Sequence, residues 1–429
     1  MMQYIKRNWL FLLMAFLCIP LTLSATWVVD LFHFPLIMSR VMAIIVYLPF
    51  AAFIGMKVWT DIRHFREAMV VSNGFYYGFA IYYGILTGYR FLTHMEVKEN
   101  LYFSIVFFGA IALYMLLRDG RIKMESQAMT MNLVWIALFF VAYRLLYCTV
   151  GVRYLEFSPI NVNLTSGAVA MLLPILGYNL TIDALSRKQR LWCWLAMAGS
   201  VTVVAVTGAR ALFWLMMIML VVLLLTHIPA KQGWMRLGSA VLAGFLLVAA
   251  LAVADVGRVR YYLCREMGIT ITSSSPSSPN TPSDDQLAAQ EQVNASDQMR
   301  SELVAMGMEQ IQRNPWFGTG DVMYVTMPRE DFVAIQSSHN FLIEALICYG
   351  IFGLLMLAGL VISLIGEIGL FKKSGKGKWG IKIALFLTLF FYFAFGFVQP
   401  TVFNCIICLL FVMAMATGRA TLRFSDTDA

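Results

Sequence analysis

Apolar stretches long enough to cross a membrane recur along most of the chain, and short polar segments separate them. An α-helix needs about 20 apolar residues to cross the hydrocarbon core of a bilayer. Stretches close to that length occur near residues 9–29, 36–56, 69–89, 100–117, 128–149, 164–185, 191–207, 211–228, 237–256, 340–366, 379–399 and 401–418. The pattern predicts an all-α, polytopic membrane protein with about twelve transmembrane helices.

Composition supports a membrane protein. Of the 429 residues, 60% are hydrophobic and 13% are charged, whereas soluble proteins average about 45–50% and about 25%. Lys and Arg (32) outnumber Asp and Glu (24). In a soluble protein that excess would suggest nucleic acid, but here orientation relative to the membrane explains it. Membrane lipids are therefore predicted partners and nucleic acid is not.

The basic residues also indicate which ends face the cytoplasm, because cytoplasmic connections carry an excess of Lys and Arg. With the N-terminus inside, 20 of the 32 Lys and Arg residues fall in cytoplasmic segments, and half of the other 12 lie in one long loop. Lys6 and Arg7 precede the first apolar stretch, which we interpret as a membrane span rather than a cleavable signal peptide. Both termini are predicted to be cytoplasmic.

The long loop divides the chain into three parts. Residues 1–255 hold the first nine predicted spans, residues 256–338 form the loop on the outer side, and residues 339–429 hold the last three spans. Loops of this length in compact proteins are usually functional or disordered. The middle of this one, SSSPSSPNTPSDDQ, has the composition of a flexible segment.

The second half of the loop predicts a surface helix from about residue 297 to 313. Ser296 or Asp297 can cap its start, and the apolar residues after it recur with helical spacing. Asn314-Pro315 ends the pattern, since the residue before proline disfavours the helical conformation. The sequence predicts an amphipathic helix on the membrane surface, followed by a Pro/Gly turn.

Two arginines stand where a charged ligand could bind. Arg210 follows Gly208-Ala209 in a very short turn between spans seven and eight. Charges at membrane depth are costly and often mark substrate paths, although an arginine there can also snorkel to lipid headgroups. Arg300 lies on the predicted loop helix, where it can bind a ligand or be a solvated surface charge.

A basic and aromatic stretch, RVRYYLCR, follows the ninth span and contains Arg258, Arg260 and Arg265. Headgroup anchoring and ligand binding explain these three arginines equally well. The outer segments show no Asp-x-Asp pair and no His/carboxylate cluster with metal-ligand spacing. We therefore predict no metal and no cofactor.

His339 and Asn340 stand directly before the tenth apolar stretch. We expect both in the first turn of that helix, with Ser337 or Ser338 as its cap. An imidazole has an ordinary pKa near physiological pH, so it can accept a proton from a sugar hydroxyl. The alternative is a polar start of a helix at the membrane surface.

These motifs together resemble the O-antigen ligase and polymerase superfamily of bacterial inner-membrane glycosyltransferases. The family's His-Asn, nine residues, Gly, two residues, Gly appears as HN-FLIEALICY-G-IF-G from His339 to Gly353. The stretch NPWFGTG from Asn314 to Gly320 is similar to the family's Asn-Pro turn. The Arg210 turn and Arg300 also match arginines of the family. The resemblance covers about residues 190–365.

The resemblance implies a GT-C-like fold and glycan transfer from an undecaprenyl-diphosphate carrier to a sugar hydroxyl at the periplasmic face of the inner membrane. It implies that His339 is the catalytic base and that Arg210 and Arg300 clamp the diphosphate. The residues expected to bind substrate are Asn340, Arg258, Arg260, Arg265, Asn314, Gly318 and Gly320.

Three functions remain open at this point. A ligase would move polymerised O-antigen from the carrier to lipid A-core, whereas a polymerase would join repeat units on the carrier. The exact histidine spacing is closer to the ligase pattern. A transporter of the lipid-linked sugar would show symmetric halves with interrupted helices, and the sequence shows no such symmetry. We therefore favour the ligase.

Overall fold

The computed structural model describes residues 2–23, 36–94, 98–150, 162–206, 210–228, 231–254, 298, 301–319, 325–328, 333–336, 340–371, 376–397 and 405–427. The predicted flexible segment and the predicted caps of the loop helix, Ser296 and Asp297, lie outside these residues. Almost all of the described part is helical.

The helices coincide with the predicted stretches. In chain order they are α1 (Met2–Leu23), α2 (Leu36–Arg63), α3 (Phe65–Ala68), α4 (Val71–His94), α5 (Lys98–Arg118), α6 (Ser126–Val150), α7 (Val162–Thr181), α8 (Arg187–Ala205), α9 (Arg210–His227), α10 (Lys231–Val253), α11 (301–313), α12 (Phe341–Ile368), α13 (Lys376–Gly396) and α14 (Cys405–Thr427). Apart from the four-residue α3 and the loop helix α11, each corresponds to one apolar stretch.

Several of these helices can cross a membrane. Within the described residues, five are both long and apolar enough: Ile44–Arg63, Ser126–Leu145, Lys231–Val253, Phe341–Ile368 and Lys378–Gly396. Three shorter apolar helices accompany them: Ser104–Arg118, Ala211–His227 and Ile406–Leu422. The protein is a multi-pass helical membrane protein, and the count of twelve crossings stays a prediction.

Helix α7 forms the centre of the bundle. Every side chain from residue 165 to 180 is buried, and α7 packs against α6, α8, α9, α10, α13 and α14. A helix that is hydrophobic on all sides is expected in such a position. The helices around it expose apolar side chains on their outward faces, as lipid-facing surfaces require.

Small residues allow two of the helix pairs to approach closely. A Cβ atom on Gly109 of α5 would lie 2.6 Å from the carbonyl oxygen of Phe50 in α2. One on Gly244 of α10 would lie 2.7 Å from the carbonyl oxygen of Ala198 in α8. Contacts of small residues are typical of helix pairs in membranes, where packing and hydrogen bonds drive association.

A buried cluster of charges surrounds the C-terminal end of α12. Arg118 Nη1 donates to Glu367 Oε1 at 2.5 Å, and Arg118 Nε donates to Asp119 Oδ1 at 2.7 Å. Arg419 donates to the carbonyl oxygen of Glu367, and Lys382 Nζ donates to that of Gly369. Cations near the last carbonyls of a helix satisfy them and complement the helix dipole.

Other ion pairs join connections that were predicted to be cytoplasmic. Arg7 pairs with Glu125 at 3.1 Å, which links α1 to the start of α6. Asp183 accepts from Arg236 at 2.8 Å and from Arg190 at 3.1 Å. The hydrogen bond from Arg236 and the two positive charges hold the pKa of Asp183 below its ordinary value. The pairing of Asp183 with the two arginines therefore stabilises the fold at a pH above the ordinary carboxyl pKa. This stabilisation is lost as the pH falls through the lowered pKa of Asp183.

Replacing Glu367 with glutamine should destabilise the protein by about 3 kcal/mol, because the buried Arg118 would lose a charged partner. We expect this loss in equilibrium unfolding of the purified protein in detergent. Glu67 pairs with Arg121 but its side chain is 68% exposed, so Glu67→Gln should cost less than about 1 kcal/mol. Equal effects of the two variants would show that the buried cluster contributes no more than a surface pair.

The described residues also contain a short β-hairpin, which the all-α prediction did not include. Strand β1 (Val325–Pro328) pairs antiparallel with β2 (Val333–Gln336), so that Val325 faces Gln336 and Pro328 faces Val333. Four-residue strands give too short an alternation to be recognised in a polar loop. The hairpin lies along the chain between the Asn-Pro turn and the start of α12.

Candidate functional site

Helix α12 is broken at Gly350, the first glycine of the His-Asn motif. Gly350 has φ 63° and ψ −169°, a region that only glycine adopts readily. A break of this kind leaves backbone N–H and C=O groups without their partners four residues away, and buried groups of this kind must be satisfied elsewhere. The break divides α12 into a short segment, 341–349, and a long one, 351–368.

The Asn-Pro turn supplies the missing partners. The N–H groups of Ile351 and Phe352 donate to the carbonyl oxygens of Pro315 and Trp316 at 2.9 Å and 3.1 Å. In return, the backbone N–H and the hydroxyl of Thr319 donate to the carbonyl oxygen of Ile347 at 2.7 Å and 3.0 Å. The turn therefore replaces one stretch of intrahelical hydrogen bonding.

The glycines of the two motifs meet at this junction. Gly318 has φ +69°, and a Cβ atom on it would lie 2.5 Å from the backbone nitrogen of Gly350. A Cβ atom on Gly350 would collide with the carbonyl oxygen of Trp316. Gly318, which the sequence analysis assigned to substrate binding, thus has a backbone role in the turn. Gly320 lies outside the described residues.

A tyrosine from the first half of the chain completes the junction. The hydroxyl of Tyr82 in α4 lies 2.7 Å from the carbonyl oxygen of Tyr349 and 3.0 Å from that of Phe317. Gly353, the last glycine of the motif, makes room for it, because a Cβ atom there would lie 3.1 Å from the Tyr82 ring. Sequence analysis did not identify Tyr82, which stands among other aromatic residues in an apolar stretch.

Further polar groups lie beneath the junction. The hydroxyls of Tyr349 and Ser104 are 3.4 Å apart, and the Tyr83 and Tyr349 rings are 5.5 Å apart. Through these contacts α4 and α5 support the motif on α12. Two helices that precede residues 190–365, the part covered by the resemblance, thus contribute to the site.

The loop helix α11 packs on the short segment of α12. Leu303 and Ile311 form a hydrophobic cluster with Ile343 and Ile347, and all four are buried. The apolar face predicted for the loop helix is confirmed over its described residues. Helix α11 runs toward the Asn-Pro turn, and the short segment of α12 runs toward the break on which that turn is docked. The two helices therefore run in the same direction.

Asn340 is the cap of α12, which corrects the predicted cap. Its side-chain oxygen accepts from the N–H groups of Leu342 and Ile343 at 3.0 Å and 3.4 Å. The helix begins at Phe341, so Asn340 precedes its first turn, and the cap is Asn340 rather than Ser337 or Ser338. Asparagine is among the best capping residues because its side chain satisfies the orphan N–H groups.

One buried carboxylate beside the motif was not identified from the sequence. Glu344, in the first turn of α12, is only 3% exposed. A carboxylate in this position interacts favourably with the positive end of the helix dipole. Its sequence signal is weak, because one acidic residue in an apolar stretch can also face solvent.

The remaining predicted residues are only partly within the described structure. Helix α8 ends at Ala205 and α9 begins at Arg210, so the very short connection is confirmed and Arg210 occupies a helix start; its side chain is not described. Asn314 lies in the turn, where its carbonyl oxygen accepts from the Gly318 N–H at 3.0 Å. The other predicted residues lie outside the described residues: Arg258, Arg260, Arg265, Arg300 and His339.

These features define a multi-pass helical membrane protein in which the loop between α10 and α12 docks on a broken helix. Residues 194–358 match the family model described as O-antigen ligase. The matched segment begins within α8 and ends within α12, which confirms the resemblance found in the motifs. No curated protein matches the chain. The match supports a glycosyltransferase-like enzyme of the O-antigen ligase and polymerase type.

Proposed function

We propose that this protein is an O-antigen ligase, which transfers glycan from an undecaprenyl-diphosphate carrier to a sugar hydroxyl of lipid A-core. The main support is the parallel packing of α11 on the short segment of α12. Arg300 directly precedes the described part of α11, and His339 directly precedes the cap of α12. Since both helices run toward the same break, their starts lie at the same end.

The proposed chemistry uses a base and two cations. His339 takes the proton from the acceptor hydroxyl, whose oxygen attacks the anomeric carbon of the donor. The bond from that carbon to the diphosphate oxygen breaks, and undecaprenyl diphosphate leaves with the electron pair. Arg210 and Arg300 neutralise the charge that develops on the diphosphate, so the transfer needs no metal.

The proposed location is the periplasmic face of the bacterial inner membrane, with both termini in the cytoplasm. Support comes from the opposite ends of α12. The cluster around Glu367 joins predicted cytoplasmic segments, whereas Asn340 caps the opposite end of α12. Arg258, Arg260 and Arg265 are proposed to bind the donor diphosphate or nearby headgroups on the Asn340 side.

A lipopolysaccharide gel tests this function directly. A strain that lacks the protein should retain bare lipid A-core, accumulate carrier-linked polymer and lose the O-antigen ladder. The restored gene should return the ladder. If the strain instead makes lipid A-core that carries a single repeat unit, the missing protein is a polymerase, which uses the same donor. An unchanged ladder would contradict both functions and point to another glycan or to transport of the lipid-linked sugar.

A further inference from the structure

The Asn-Pro turn and the first residues of the long segment of α12 together present three aromatic side chains on the surface. Trp316, Phe317 and Phe352 are 57%, 59% and 41% exposed. The ring of Phe352 lies 5.9 Å from that of Trp316 and 5.2 Å from that of Phe317. We call these three residues the aromatic patch. Backbone groups of all three residues take part in the hydrogen bonds at the junction, which hold the three rings side by side.

One face of α4 continues the patch. Tyr82, Ile85, Tyr89 and Leu92 are spaced so that they follow a single face of the helix. Ile85, Tyr89 and Leu92 are 69%, 62% and 84% exposed. The hydroxyl of Tyr82 contacts the carbonyl oxygen of Phe317, so this face begins beside the turn. We call these four residues the α4 stripe.

The stripe leads from the patch toward the start of α12. Helices α4 and α12 are antiparallel, because the Cβ positions of Gly359 and Gly353 lie against Phe75 and Tyr82. From Tyr82 to Leu92 the stripe rises about 15 Å, and the segment from Gly350 back to Asn340 has about the same length. The stripe therefore extends from the break toward the end of the bundle that holds Asn340.

We propose that the aromatic patch and the α4 stripe seat the polyprenyl chain of the donor carrier. The inference rests on the proposed function, which places the carrier diphosphate at the starts of α11 and α12. The chain is bonded to that diphosphate, so it must enter the membrane beside it. The stripe leads from that end to the patch, which it meets where the Tyr82 hydroxyl contacts the carbonyl oxygen of Phe317. Flat aromatic faces suit the branched, unsaturated isoprene units, because ring faces and methyl groups make large dispersion contacts.

Kinetics with two donors test the seat. The variant Trp316→Ala/Phe317→Ala should raise the apparent KM for an undecaprenyl-diphosphate donor about tenfold and leave kcat nearly unchanged. The reason is that the lost contacts with the chain stabilise the bound substrate and the transition state equally. The same glycan on a geranyl diphosphate should show little change, since its chain is too short to reach the patch. Trp234→Ala on α10, where the side chain is 42% exposed, is the matched control and should leave both donors unaffected.

Two results would overturn the seat. An equal loss with both donors would mean that the rings only support the turn, and unchanged KM for the long donor would mean that the chain binds elsewhere. The conservative variant Trp316→Phe/Phe317→Leu should restore the KM of the long donor. This rescue is expected because the seat depends on apolar contact area rather than on one particular ring.

Photocrosslinking separates this inference from the proposed function, because it needs no transfer. A benzophenone-tagged prenyl diphosphate without glycan would be added to the protein in phosphatidylethanolamine/phosphatidylglycerol vesicles. We expect labelling of the patch and the stripe that unlabelled undecaprenyl diphosphate removes. The α10 face with Leu242 and Leu246, each 60% exposed, is the control for bulk lipid. Labelling of both surfaces alike contradicts the seat, even if transfer occurs, whereas specific labelling without transfer supports the seat and contradicts the ligase.

Discussion

Replacing Gly350 with alanine should reduce glycan transfer by about two orders of magnitude, because displacement of a catalytic group by about 1 Å can cost that much. Gly350 has backbone dihedral angles that raise the conformational energy of any other residue by about 1–3 kcal/mol. In addition, the new Cβ atom would collide with the carbonyl oxygen of Trp316. The turn would have to leave the break, and α11 would lose its position on α12. Transfer by the purified protein from a carrier-linked glycan to core measures the effect.

Gly366 offers a matched control in the same helix. A Cβ atom there meets nothing within 4 Å, and alanine is favoured over glycine inside a helix by about 0.5–1 kcal/mol. Gly366→Ala should therefore keep full activity and unfold at the same or a slightly higher temperature. If Gly350→Ala also kept full activity, the docked turn would not be needed for catalysis.

The sequence predicted the helices well because each span must satisfy all of its backbone groups internally. The hydropathy pattern marked the apolar part of each helix but not its polar ends. Thus α1 begins at Met2 rather than near residue 9, and α14 continues to Thr427. Hydrogen bonding of the backbone continues where hydropathy no longer indicates a span.

The junction could not be predicted in the same way, because its partners are far apart in the chain. The stretch from Asn340 to residue 366 reads as one continuous apolar helix, and the break at Gly350 is visible only when the turn is placed against it. Tyr82 and Tyr349 are 267 residues apart. The cap was mispredicted because serine and asparagine both cap helices, and Ser337, Ser338 and Asn340 were all available.

His339→Ala is the second variant with a large expected effect. If His339 is the base, its loss should lower the turnover of glycan transfer by about 100- to 10,000-fold. The arginines that are proposed to hold the diphosphate are untouched, so binding of the carrier should persist. We expect this result in single-turnover transfer and in a separate carrier-binding measurement, with protein abundance near that of the unchanged protein.

His64 provides the control, because it lies in a connection predicted to be cytoplasmic. Its side chain is 45% exposed, and its Nδ1 atom lies 3.9 Å from Glu67 Oε2. His64→Ala should leave transfer unchanged. The comparison with Gly350→Ala is the sharper test: that variant displaces α11 and should weaken carrier binding as well, whereas His339→Ala should spare it. Normal transfer by His339→Ala would contradict the base. Loss of carrier binding in His339→Ala would instead mean that the histidine holds the donor, since a group that acts only in the transition state does not contribute to ground-state binding.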